Sequence, residues 1–72
     1  MTTPSSFYRV EVNGRACGQV FRLSGRWRWE RPNGGIESYG RRALLLDVRA
    51  HIARLNRTHV ADVRLVRIGV LL

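Results

Sequence analysis

The sequence predicts an α+β domain: an antiparallel three-stranded meander, one helix packed across it, and a C-terminal fourth strand. Three observations carry that prediction. The stretch Gly25-Arg26-Trp27-Arg28-Trp29-Glu30-Arg31 alternates aromatic and charged residues with a period of two, the pattern of a strand with one buried and one wetted face. The dipeptides Asn13-Gly14 and Ser24-Gly25 mark tight turns on either side of a second alternating run. Further on, Leu45, Val48, Ile52 and Leu55 recur at three and four, a helical period.

In chain order, Met1 to Ser6 is short and polar and reads as a frayed terminus. Phe7 to Val12 is a first strand, with Tyr8, Val10 and Val12 on one face and Phe7, Arg9 and Glu11 on the other. A second strand follows from Arg15 to Leu23, with Cys17, Phe21 and Leu23 expected inward and Val20 and Arg22 outward. Gly18 marks a bulge in it or a later start. In the next strand Trp27 and Trp29 point to the core, and Arg26, Arg28 and Glu30 point away. Pro32-Asn33-Gly34-Gly35 ends it, because proline cannot continue a ladder. Ile36 to Tyr39 either extends the sheet or leads into the helix.

The helix is expected over Arg41 to Arg57, with Ser38 as a candidate N-cap and Asn56 near its end. Its apolar stripe, joined by Leu44, should cover the tryptophan face; Leu46, Ala50 and Ala53 fall on the back with Arg42, Arg49 and Arg57. The tail from Val63 to Leu72 reads as a strand. Arg64, Val66, Ile68 and Val70 occupy one face, and Val63, Leu65, Arg67 and Leu71 the other. It either returns beside the first strand or pairs with another chain.

The 72 residues form a single small domain, 1–72. A chain this short buries only about 60 % of its unfolded surface, so stability needs help. Cys17, the lone cysteine, excludes an internal disulfide and reads as a buried, inert thiol. No histidine lies at metal-ligand spacing from it, so neither metal nor other cofactor is expected. Self-association is the remaining aid, with Leu46, Leu65 and Leu71 as its apolar contacts and a homodimer as its product. Met1 to Ser6 shows no signal-peptide pattern, and with one cysteine a cytoplasmic protein is expected.

Catalysis finds little support. The five carboxylates sit on separate elements, and Gly34-Gly35 lacks the lysine of a phosphate loop. His51, at the edge of the apolar stripe, reads as a partly buried histidine without an orienting acid. A non-enzymatic protein is the expectation.

Charge points to binding instead. The formal net charge is +8, and all 13 basic residues are arginine. Guanidinium groups fork onto phosphates and carboxylates and stack on bases. The assigned pleat puts Arg9, Arg22, Arg26 and Arg28 on the outward face of the meander, diluted by Glu11 and Glu30. Such a face can lie in a major groove. Arg31, Arg41 and Arg42 gather near the expected helix start, where they oppose the helix dipole and suit an external anion.

The run Gly18-Gln19-Val20-Phe21-Arg22, then Gly25-Arg26-Trp27-Arg28-Trp29-Glu30, a glycine-containing turn, Tyr39 and an alanine- and leucine-rich helix to Leu55 resembles a known arrangement. It is similar to the three-strands-plus-helix DNA-binding domains of plant ethylene-response factors and to the arm-binding domains of phage tyrosine integrases. The resemblance implies a meander laid in the major groove, arginine and tryptophan outward, with Arg22, Arg26 and Arg28 as groove contacts. The reading is thus a small DNA-binding regulator, its brevity fitting phage or mobile-element origin, with duplex DNA favoured and RNA an alternative nucleic acid. The rival is a regulator that docks an acidic host protein such as RNA polymerase.

Overall fold

The computed structural model describes residues 6–69. Strands β1 (Phe7–Val12), β2 (Arg15–Leu23), β3 (Arg26–Glu30) and β4 (Ile36–Ser38) are followed by helix α1 (Leu45–Leu55), a 3-10 turn (Val60–Asp62) and β5 (Val63–Gly69). The strands form one antiparallel sheet in the order β4-β3-β2-β1-β5. The meander, the single helix and a C-terminal strand are therefore all present. Ile36–Ser38 joins the sheet as an edge strand, which raises the number of strands to five. The tail takes the first of its two expected routes and lies beside β1. Val70 to Leu72, and Met1 to Ser5 of the expected frayed terminus, lie outside the described residues; Ser6 is paired, its carbonyl accepting the Arg22 N–H at 3.3 Å.

One layer of core lies between α1 and one face of the sheet. Val10, Val12, Val20, Trp29 and Val63 meet Val48, Ile52 and Ala53 there, all buried. Tyr8, Cys17, Trp27, Tyr39, Leu45 and Leu65 pack around them. Period-two burial in β1 and β3 agrees with the alternation in sequence.

β2 departs from it. Phe21 and Leu23 do not face inward, and Val20 and Arg22 do not face outward; each lies on the opposite side. The cause is a bulge: Arg9 pairs with Gln19 but Glu11 with Ala16, so Cys17 and Gly18 together oppose Val10. One extra residue shifts the pleat, and every side chain beyond it changes face. Gly18 makes this feasible, with φ +81°. A Cβ there would lie 1.9 Å from the Glu30 carbonyl oxygen, so only glycine fits. The bulge also supplies an acceptor: the Trp29 indole N–H donates to the Cys17 carbonyl at 2.9 Å.

The helix is shorter than expected at its start. It begins at Leu45, not Arg41, because the Asp47 carboxylate accepts the Leu44 N–H at 2.7 Å and fixes Leu44 as the N-cap. Ser38 belongs to β4 and caps nothing, and Gly40 to Ala43 closes a turn of its own at 3.0 Å. Ala53, expected on the back, is buried, whereas Leu55, expected in the stripe, is 50 % exposed. The buried face is thus rotated toward Ala53. Asn56 ends the helix, its side-chain amide donating to the Ile52 carbonyl at 2.8 Å. Among the described residues no helix is long and apolar enough to cross a membrane.

Candidate nucleic-acid interface

The sheet face turned away from α1 has no second layer over it among the described residues. Register fixes its content, because directly paired residues share a face. One rung runs Val66, Arg9, Gln19, Glu30, Ile36. The next holds Phe7, Phe21, Arg28 and Ser38, and beyond it Leu23 pairs with Arg26. At the other end Arg64 faces Glu11, which faces Ala16. The Phe7 and Phe21 rings lie 5.5 Å apart at 32°. Phe21 is only 9 % exposed although its face is open, so its neighbours on the sheet cover it.

Of the residues expected on this face, Arg9, Arg26 and Arg28 are there. Arg22 is not: it pairs with Trp27 on the helix side, its guanidinium carbon 5.7 Å from the Trp27 ring centroid. The bulge accounts for that displacement. Both tryptophans also lie on the helix side, contrary to the outward placement implied by the resemblance.

The carboxylates of the open face are both engaged. Arg9 Nε donates to Glu11 Oε2 at 3.1 Å, and Gln19 Nε2 donates to Glu30 Oε1 at 2.6 Å. Arg26, Arg28 and Arg64 have no carboxylate partner among the described residues. Arg28 Nε is moreover buried without a hydrogen-bond partner. An arginine nitrogen left so is a donor lacking its acceptor. Arg64 joins the group only because β5 lies beside β1; its outward position was readable from the alternation of the tail, its neighbours were not.

The expected anion site of Arg31, Arg41 and Arg42 is not assembled. Arg31 follows β3 and is ion-paired to Glu37, with its guanidinium carbon 5.4 Å from the Trp29 ring centroid. The Tyr39 N–H donates to the Trp27 carbonyl at 3.0 Å, so the chain leaves β4 at the opposite end of β3. Arg41 and Arg42 are exposed in the turn that follows, away from Arg31. Since the helix starts at Leu45, they precede its first turn, and Asp47 complements the dipole there.

Glu37 links the β4 edge to the helix. His51 Nε2 stands 3.5 Å from Glu37 Oε1, beyond good hydrogen-bond geometry, and Tyr39 meets the His51 ring edge-on at 5.5 Å. Burial, and next to it the Glu37 charge, push the Tyr39 hydroxyl up to about 12. Its oxygen has no hydrogen-bond partner among the described residues. Such a tyrosine stays protonated and serves as packing. Cys17 lies under the helix end, its thiol donating to Asn56 Oδ1 at 3.9 Å.

Leu46 and Leu65, expected to support self-association, line one groove between α1 and β5. Leu71 lies outside the described residues. Comparison with protein families, curated proteins and solved structures found no match.

Proposed function

We propose that this is a small, non-enzymatic, cytoplasmic nucleic-acid-binding protein that engages duplex DNA through the open face of its sheet. One observation carries the reading. Arg26, Arg28 and Arg64 stand on that face without carboxylate partners among the described residues while its two glutamates are occupied, on a chain of formal charge +8. Cations held on a rigid sheet and left uncompensated suit a polyanion. The three-strands-plus-helix resemblance points the same way for Arg26 and Arg28.

The test is a mobility-shift titration with random duplex, single-stranded DNA and structured RNA. Replacing Arg26 and Arg28 together by alanine should weaken duplex binding by about 1–3 kcal/mol for each guanidinium removed, with the circular dichroism unchanged. Undiminished binding by that variant overturns the assignment of the face.

A second reading is favoured by a different feature of the same face. Phe7, Phe21, Leu23 and Val66 lie among its arginines, a mixture suited to the centre of a protein interface. An acidic protein such as RNA polymerase would then be the partner, and its capture should survive salt that abolishes duplex binding.

A further inference from the structure

Strand β5 has one edge on β1 and one edge free, and the chain closes only part of the free edge. The Asp62 carbonyl accepts the Asn13 N–H at 3.0 Å and so points toward β1. Backbone groups alternate in direction along a strand, so the Val63 carbonyl points away. There Arg49 Nε donates to it at 2.7 Å. The Val63 N–H is satisfied as well, by the Val60 carbonyl of the 3-10 turn. By the same alternation Leu65 and then Arg67 direct their N–H and C=O groups outward. No backbone or side-chain partner meets them among the described residues.

Beside this open stretch lies a groove of about 400 Å³ lined by Leu45, Leu46, Arg49, Val63, Arg64 and Leu65. Its apolar side includes Leu46, 67 % exposed. Its charged residues are arginines, and the charges of β5 itself are Arg64 and Arg67. Acids on the adjoining elements are already used: Asp47 by the Leu44 N–H, Asp62 by the Thr58 hydroxyl at 2.9 Å, Glu11 by Arg9.

We propose that the β5 edge and the α1–β5 groove capture an extended acidic peptide segment by strand addition. Its backbone continues the sheet at Leu65 and Arg67. Alternate apolar side chains seat against Leu46 and Leu65, with Arg49 and Arg67 flanking them on the same side, and carboxylates at the intervening positions face Arg64 on the other. Main-chain bonds supply affinity in such a mode, and the alternate side chains supply choice. Charge decides against a second copy as occupant. An antiparallel β5–β5 seam would line both its faces with arginine, Arg64 of each copy on one and Arg67 of each on the other, with no carboxylate from either strand, and like charges opposed across strands destabilise. The site shares Arg64 with the open sheet face but does not depend on nucleic-acid binding there.

The test titrates the ¹⁵N-labelled protein with a capped peptide of alternating valine and glutamate, and with its valine–lysine analogue. Amide exchange at Leu65 and Arg67 should slow with the glutamate peptide, which should bind at least about tenfold more tightly than the lysine peptide. Leu46→Glu, at an exposed position, should weaken the glutamate peptide about tenfold, and Arg64→Glu should erase the preference between the two. Equal affinity for both peptides, no binding at about millimolar peptide, or protection confined to the open sheet face would each overturn the proposal. So would concentration-dependent protection of the same amides without peptide, which would assign the edge to a second copy.

Discussion

At Gly18 the backbone passes so close to β3 that a methyl group would sit inside the Glu30 carbonyl. Gly18→Ala therefore combines a clash with a left-handed backbone and should destabilise the fold by about 3 kcal/mol, measured by urea unfolding. A loss below about 1 kcal/mol would mean that the bulge can move. The sequence marks Gly18 as a bulge candidate, yet a single uninterrupted pleat drawn across it assigns Val20, Phe21, Arg22 and Leu23 to the wrong faces. A bulge is legible in a glycine; its phase depends on the partner strand. Tyr39 offers a second test. Its hydroxyl keeps its proton in the fold up to about pH 12, but in the unfolded chain only to about 10. Between those values the unfolded state binds fewer protons, so stability falls as pH rises. Tyr39→Phe should remove that part of the alkaline loss and change little at pH 7, since the hydroxyl has no partner to forfeit. An unchanged alkaline profile, followed by urea unfolding across the same range, would show that another group governs it.

The helix ends on a motif that the sequence half reveals. Asn56 is readable as the end. The left-handed turn at Arg57, φ +53°, is not, because that place usually holds glycine. The Thr58 N–H reaches the Ala53 carbonyl at 3.0 Å and the Arg57 N–H the Arg54 carbonyl at 3.1 Å, closing the cap. Arg57→Gly should relieve the strain and stabilise the protein by about 0.5–1 kcal/mol, read as a raised Tm. The start of the helix is less legible: Arg41 to Leu44 could continue the same period, and one hydrogen bond from Leu44 to Asp47 decides against it. Strand β3 is the most legible element, since Trp27 and Trp29 can share only one face. Trp29, 3 % exposed and bonded to Cys17, should cost about 3–5 kcal/mol when replaced by alanine. Far-UV circular dichroism during thermal unfolding checks this.

For the whole molecule, three uncompensated arginines on one face imply that log K for duplex DNA falls with log salt at a slope of about −2.7, from roughly −0.9 per phosphate. A slope near zero in a salt-titrated shift assay would favour the acidic-protein reading. The number of cations is legible from composition, but their separation is not: the bulge removes Arg22 from the face, Glu37 engages Arg31, and β5 adds Arg64. The placement of β5 reaches further, into how the chain folds. Hairpins can zip β1 to β2, β2 to β3 and β3 to β4 with little loop entropy to overcome. The ladder from Phe7–Gly69 to Val12–Val63 instead closes nearly the full length of the chain. Contacts so distant in sequence slow folding. During synthesis, Val10 and Val12 have their flank open until the last described strand arrives with Val63 and Leu65. The nascent chain therefore carries an exposed, aggregation-prone strand edge for as long as residues 13–62 are being made, and the described sheet is completed only when β5 arrives.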